Sequence, residues 1–359
     1  MKIVLFHKNC NDGLFAAYSV WLKFKENIIY IPVAYKPAQD LDPRQALSYI
    51  LNSVNQPEYV NLSGVNIPLE ITRLGHQNKE LNSTEILDFL KGIDLVMVDF
   101  CLPYSHFKEY CSMFKSVTIL DHHKTAIDDF SENNVSIKDT IRFNEEKEEI
   151  ELIVFEYGSN GKAIFASDVS GAFLTYVYLN SKDIVPYFIR LVSDRDMWTF
   201  KLKETNHFHS GMSCFDIKSF EELDELVNKE LSKVLYLGVV LESVKKQRIS
   251  ARIKNGYIKV NILYKDMKYN GVFINSNLDI ASDLGNEILT ETGCDIAVIY
   301  SIQKELDVSC SVRSTKDIDS SFLSKRFGGG GHANASGFHI NLNRLMKIFK
   351  VGSLEVKDD

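Results

Sequence analysis

Short apolar runs rich in β-branched residues alternate with helical stretches through the first 200 positions of the chain. The runs at 3–6, 28–33, 95–98 and 117–120 read as strands, and residues 13–24 read as the helix that follows the first of them. This is the βαβ pattern of a mostly parallel sheet. Two less regular stretches, about 52–83 and about 128–161, look like insertions on that core, and the second contains a strand-like run at 150–155 suited to a hairpin. Ser170-Gly171-Ala172 ahead of 173–179 has the form of a capped helix, with Ser170 or Asp168 as the cap.

Residues 221–252 keep helical spacing with mixed charge over a length that suits a link or brace between domains. Beyond them the pattern turns strand-rich again, at 258–263, 269–274, 296–302 and 306–312, with a helix expected over 280–290. No internal repeat or low-complexity tract interrupts it. The expected fold is therefore α/β: a mostly parallel-sheet N-terminal domain at 1–215, a helical linker at 216–255, and a smaller α/β C-terminal domain at 256–359. A chain of 359 residues exceeds the roughly 250–300 over which single cores stop growing, which agrees with two domains.

Polar residues at the ends of the apolar runs carry the candidate chemistry. Asp121-His122-His123 ends the run at 117–120, Asp99 ends the run at 95–98, and the first run delivers His7, Cys10 and Asp12. A fourth run, 188–192, is followed by Asp194 and Asp196. Open α/β sheets bind ligands at strand ends, and carboxylates with imidazoles are what a cluster of divalent cations requires. Each residue alone has a structural reading: Asp12 and Asp99 as helix or turn caps, His7 as a hydrogen-bonded core histidine, Asp194 and Asp196 with Arg195 as a surface ion-pair group. Needing all of those readings at once is what favours a metal site. Asp99 is the natural bridging ligand, with Asp12, His122 and Asp194 around it and His7 toward a companion ion. Mixed Asp and His ligation points to Mn2+, with two ions expected and Mg2+, Co2+ or Zn2+ as alternatives.

Near the other end, Gly328-Gly329-Gly330-Gly331-His332 precedes 333–338, read as an almost side-chain-free helix start, and Arg313 ends an upstream strand. Backbone N–H groups of such a loop can approach an anion, and an arginine suits bidentate phosphate binding. A flexible turn is the alternative reading of the glycines.

Composition narrows the function. A formal net charge of -7 argues against an extended duplex nucleic-acid footprint but leaves a small phosphate ligand compatible. The 6 cysteines are far apart with no C-x-x-C pair, which fits a reducing cytoplasm rather than a disulfide framework or zinc ribbon. The N-terminal apolar run is too short for a signal peptide, and no stretch approaches membrane-spanning length, so a soluble cytoplasmic protein is expected.

Together these motifs closely resemble the DHH phosphoesterase superfamily with a C-terminal DHHA1 domain. The matching pieces are Phe6-His7-x-x-Cys10-x-Asp12-Gly13 with Ala16-Ala17, Val98-Asp99-Phe100, Asp121-His122-His123-Lys124-Thr125-Ala126, Asp194-Arg195-Asp196-x-Trp198, Val312-Arg313-Ser314 and Gly328-Gly329-Gly330-Gly331-His332, in family order along nearly the whole chain. The resemblance implies a metal-dependent phosphoesterase with its active site between a catalytic and a substrate-binding domain. It implies Asp12, Asp99, His122 and Asp194 at one metal and His7 with Asp99 at the other, with Cys10 and Asp196 as further candidates. His123 would face the scissile phosphate, with Asp121 beside it in the catalytic pair. Arg313, Gly329, Gly330, Gly331 and His332 would hold substrate. Many relatives carry Asp-x-Asp-Gly where this chain has Cys10-Asn11-Asp12-Gly13, which bears on the first metal site.

The leading expectation is hydrolysis of short single-stranded oligonucleotides to 5′-mononucleotides. The alternatives are a phosphatase or phosphodiesterase for a small nucleotide (a linear or cyclic dinucleotide, or a nucleoside bisphosphate), a RecJ-like single-strand exonuclease, and a nucleotide-binding module without turnover. Homodimer formation is left open.

Overall fold

The computed structural model describes residues 1–25, 27–68, 71–72, 84–144, 147–180 and 184–356. It divides into two compact units, Met1–Leu241 and Glu242–Asp359.

Seven strands form the sheet of the first unit: β1 (Lys2–His7), β2 (Ile28–Val33), β3 (Asp94–Val98), β4 (Ser116–Asp121), β5 (Ile137–Phe143), β6 (Glu148–Tyr157) and β7 (Gly161–Phe165). Their order is β2-β1-β3-β4-β7-β6-β5. β2, β1, β3, β4 and β7 run parallel, and β6 and β5 extend the edge as an antiparallel hairpin. The second insertion thus carries the expected hairpin, β5 and β6, and leads into β7, which returns to the parallel sheet.

Both faces of this sheet are covered, which is why its central strands read as continuous apolar runs rather than alternating ones. Val4 and Phe6 of β1 face one core with Phe15, Ala16 and Val20 of α1 (Asn11–Phe24); Ile3 and Leu5 face the other. The second core is closed by α2 (Pro43–Asn52), α3 (Thr84–Leu90), α4 (Tyr104–Met113) and α5 (Lys124–Asn133), which contribute Leu47, Leu90, Phe107 and Phe130. Residues 69–70 and 73–83 of the first insertion lie outside the described residues.

The first core also takes α6 (Gly171–Leu179), α7 (Tyr187–Asp196), α8 (Thr205–Met212) and α9 (Phe220–Lys229). The hydroxyl of Ser170 accepts from the Phe173 N–H at the start of α6, so the expected cap is present. The run at 188–192, by contrast, is no strand. Phe188, Ile189, Leu191 and Val192 are buried on α7, which opens after Pro186, and their spacing fits one helical face packed on the core. The stretch expected as a linker is in part core as well: Phe220, Leu223, Leu226 and Val227 of α9 are buried with the first unit. α10 (Leu231–Lys254) follows and runs past the division between the units.

The second unit has its own seven-stranded sheet: β8 (Ile258–Tyr264), β9 (Met267–Asn275), β10 (Ile296–Ile302), β11 (Asp307–Ser314), β12 (Gly330–His332), β13 (Ala335–Asn341) and β14 (Ser353–Val356), in the order β12-β13-β11-β10-β9-β8-β14. One face packs α11 (Ala281–Thr292), and the other packs α12 (Ser321–Arg326) and α13 (Leu342–Val351).

The segment expected as a helix start, 333–338, belongs mostly to β13. Ser336, Phe338 and Ile340 are buried at period two, and β12 pairs back on this strand through Gly330↔Gly337. The glycines serve that close pairing: a Cβ on Gly329 would meet the Gly337 carbonyl oxygen at 2.0 Å, and one on Gly331 would meet that of Ala335 at 2.6 Å. No helix dipole therefore adds to this loop.

Candidate metal and phosphate site

The carboxyl ends of β1, β3 and β4 bring the motif residues together. Strand order reverses on either side of β1, and such a switch point opens a crevice at the strand ends. β1 ends at His7, and Cys10 stands at the N-cap of α1, placing Asp12 in its first turn. The helix can begin this close to the strand because residue 13 is glycine: a Cβ there would lie 2.3 Å from the His7 carbonyl oxygen. Asp99 follows β3 at φ 48°, a left-handed conformation that aspartate tolerates better than most residues. β4 ends at Asp121, and His122 and His123 lead into α5.

His122 is the hub. Its Nε2 lies 3.2 Å from Asp99 Oδ1, 3.6 Å from Asp12 Oδ2 and 3.5 Å from Asp196 Oδ2. On the far side of Asp99, His7 Nδ1 is 3.7 Å from Oδ2. Among the described residues, three groups have donor atoms close enough to share an ion: Asp12, His122 and Asp196; His7, Cys10 and Asp99; and Asp99, Asp121, His122 and His123. Asp99 belongs to two of them, as a bridging ligand would.

The polar bookkeeping favours a cation. Both carboxylate oxygens of Asp99 are buried without a hydrogen-bond partner, an expensive arrangement for a charged group. Burial works against the charge of Asp99, but His122 and His7 outweigh it and hold its carboxyl well below the usual carboxylate range. Burial, with Asp99 and Asp196 as like-charged neighbours, pushes the Asp12 carboxyl up. For His122, burial alone would favour the neutral ring, yet Asp99, Asp12 and Asp196 push it up to about 10. Four carboxylates, Asp12, Asp99, Asp121 and Asp196, crowd the imidazoles of His7, His122 and His123, and this donor set fits divalent ions of borderline to hard character.

Asp121 plays a different part. It is fully buried, and its Oδ1 accepts from the His122 N–H at 2.8 Å and pairs with His123 Nδ1 at 2.7 Å. That pairing orients the His123 ring through Nδ1. Burial opposes a charge on His123, and Asp121 more than compensates, so its pKa is raised. The Tyr35 hydroxyl lies 3.3 Å from the same Nδ1, and the Tyr35 ring meets His7 edge to face at 5.1 Å.

One candidate stands elsewhere. The Asp194 carboxylate accepts from the Lys201 N–H at 2.8 Å, the Leu202 N–H at 3.0 Å, and the hydroxyls of Thr199 and Thr205. It organises the turn after α7 and is not in any of the three groups. Asp196, two residues on, reaches His122 instead. The helical geometry of α7 accounts for this, since residues two apart on a helix point in different directions.

Cys10 is half-buried in the His7 and Asp99 group. Burial, with Asp99, Asp12 and Asp196 as negatively charged neighbours, pushes its thiol well above the usual range. Sequence reasoning did not single out Tyr35, which follows the end of β2, or Gly171 and Ala172. The backbone N–H groups of these last two donate to Asp12 at 2.7 and 2.9 Å from the first turn of α6. A Cβ on Gly171 would lie 2.6 Å from that of Asp99.

In the second unit, Arg313 donates to Ser311 Oγ at 3.1 Å, to the Val312 carbonyl at 2.7 Å and to Ser282 Oγ at 2.6 Å. Gly329, Gly330 and Gly331 lie at or beside β12, on the edge of its sheet. The side chain of His332 lies outside the described residues.

Residues 266–357 match the DHHA1 domain family. Uncharacterized protein R106 of Acanthamoeba polyphaga mimivirus is 28% identical over 349 residues, which cover 94% of this chain and 67% of that protein. Among solved structures, the pGpG-specific phosphodiesterase PggH from Vibrio cholerae is 13% identical with a TM-score of 0.47, covering 98% of this chain and 96% of that one. An exopolyphosphatase-related protein from Bacteroides fragilis is 13% identical with a TM-score of 0.45, covering 98% and 90%.

Proposed function

We propose that this chain, which carries a DHHA1 domain at residues 266–357, is a metal-dependent phosphoesterase acting on short oligonucleotides and releasing 5′-mononucleotides. The observation that carries the reading is Asp99: two buried carboxylate oxygens that accept no hydrogen bond, set between His7 and His122, with Asp12 and Asp196 beside them. Asp12, Asp99, His122 and Asp196 would hold one ion, and His7 with Asp99 the other, with Cys10 beside that second pair. Divalent cations at such a site relieve charge on phosphoryl oxygens and acidify water at neutral pH, and manganese suits the mixed carboxylate and imidazole set.

The chain's own groups supply the rest. His123, oriented by Asp121 and holding its proton through the same contact, donates to a phosphoryl or leaving-group oxygen. Asp12 is held against the N-terminus of α6 by two backbone N–H groups, so its carboxylate keeps its orientation when substrate arrives. Arg313 and the residues from Gly329 to His332 are the groups of the DHHA1 domain assigned to the substrate.

The test is a product time course with manganese on dinucleotides, longer oligomers, cyclic dinucleotides and nucleoside bisphosphates. Short oligonucleotides should yield mononucleotides fastest, and folded Asp99→Ala should show neither hydrolysis nor tight binding of either ion. Full turnover in chelator, or in Asp99→Ala, would overturn the mechanism. Nucleotide binding without turnover of any substrate would favour a binding module.

A further inference from the structure

Beyond α7 the chain winds back on itself. The carbonyl of Asp194 accepts from the Thr199 N–H at 3.0 Å, its carboxylate takes the Lys201 and Leu202 N–H groups, and the Trp198 N–H donates to the Arg195 carbonyl at 3.1 Å. In this turn Trp198 and Phe200 stand at φ 56° and 49°. Bulky side chains rarely adopt that conformation, and it persists where the surrounding structure enforces it. Here the Asp194 network does so.

What the turn achieves is the presentation of two large rings to solvent. Trp198 is 40% exposed and Phe200 37%. The rings meet edge to face at 4.8 Å, and the Arg195 guanidinium lies 4.4 Å from the Trp198 ring centre and 5.3 Å from that of Phe200. Core packing does not account for this arrangement, because neither ring belongs to the buried clusters of the unit.

Two neighbours tie the pair to the metal and phosphate site. Asp196, between Arg195 and Trp198 in the chain, reaches His122. Arg195 itself lines a small cavity of about 50 Å³ with Cys10, Asp12 and Asp196. An aromatic surface thus begins within two residues of a candidate metal ligand.

We propose that Trp198 and Phe200 form the platform on which a nucleobase of the substrate stacks, steadied by Arg195, so that this turn selects nucleotides over phosphoesters without a base. The proposal rests on the phosphoesterase reading and adds the group that distinguishes its substrate. Aromatic stacking tolerates any base, so the platform prefers nucleotides as a class rather than one sequence.

The test compares a dinucleotide with the same molecule carrying abasic sugars, both with manganese. Trp198→Ala should raise KM for the dinucleotide about tenfold, from the usual worth of one stacked base, with kcat within about twofold. Turnover of the abasic substrate should not change, and Trp198→Phe should restore most of the loss. Equal losses on both substrates would mark Trp198 as merely structural, and no loss on either would remove it from the site.

A second measurement does not need turnover. The chain has 2 tryptophans, of which Trp21 is buried, so a Trp21→Phe protein reports on Trp198 alone. Nucleoside 5′-monophosphates should quench its fluorescence, whereas ribose 5-phosphate should not. If the wild-type protein hydrolyses no phosphoester, the functional reading fails and quenching decides the platform. If it hydrolyses the abasic substrate as well as the dinucleotide, the platform fails and the functional reading stands.

Discussion

The carboxylate of Asp194 takes up two backbone N–H groups and two threonine hydroxyls, while that of Asp196 faces the His122 ring and keeps 27% of its side chain exposed. Their substitutions should therefore separate stability from metal binding. Asp194→Ala leaves buried donors unsatisfied and should cost about 3 kcal/mol in urea denaturation, with Trp198 and Phe200 losing their fixed turn. Asp196→Asn should leave stability within about 1 kcal/mol and weaken manganese binding at least about tenfold by titration. The opposite pattern, with Asp194 controlling metal affinity, would return Asp194 to the ligand set. Cys10 poses a related question, because its thiol occupies the place where many relatives of the resembled family have a carboxylate. Cys10→Asp should tighten manganese binding, since it adds an anionic oxygen beside His7 and Asp99. Loss of stability with no change in metal affinity would show instead that the thiol only packs the first turn of α1, as small buried cysteines often do.

At the scale of elements, the site depends on how closely α1 and α6 approach the strand ends. Gly171→Ala would set a Cβ 2.6 Å from that of Asp99 and 2.8 Å from its Cα, so either the α6 N-terminus or Asp99 must move. The expected result is a loss of about 1–3 kcal/mol in stability and, from ångström-scale displacement of the proposed bridging ligand, about a hundredfold in kcat/KM. An active, fully stable Gly171→Ala protein would mean that the approach is looser than it looks. Gly171 also shows why parts of the site were hidden in the sequence. The strand ends were legible, because apolar runs followed by His7, Asp99 and Asp121 carry their own punctuation. The contacts of α6 with Asp12 and Asp99 were not, since nothing local marks a glycine as the neighbour of an aspartate 72 positions away. The run at 188–192 was read like the strand ends although its burial follows a helical face and Pro186 precedes it, and both that reading and the motif resemblance ranked Asp194 ahead of Asp196 as a candidate ligand. The glycines at 328–331 invited a helix after them, whereas the period-two burial of Ser336, Phe338 and Ile340 was the better guide to β13.

At the scale of the whole molecule, charge decides between a short and a long substrate. The chain carries 41 Lys and Arg against 48 Asp and Glu, too acidic a balance to track a long phosphate backbone without a segregated basic groove. On the proposed reading, a substrate of two to a few nucleotides needs only the candidate metal site and a few donors, and extra nucleotides would meet a surface with no net attraction for them. Catalytic efficiency should therefore fall as oligomers lengthen beyond a handful of nucleotides. Salt gives an independent check, because the loss of affinity with ionic strength counts the phosphates neutralised. With about two contacts, KM for a dinucleotide should rise less than about tenfold between 50 and 200 mM salt, whereas six or more contacts on a single strand would cost several hundredfold. Measuring KM at both salt concentrations for a dinucleotide and for a 20-nucleotide strand separates the cases. A shallow salt dependence with the dinucleotide preferred supports a short-substrate enzyme, and a steep one with the long strand cleaved as fast or faster would favour a RecJ-like exonuclease.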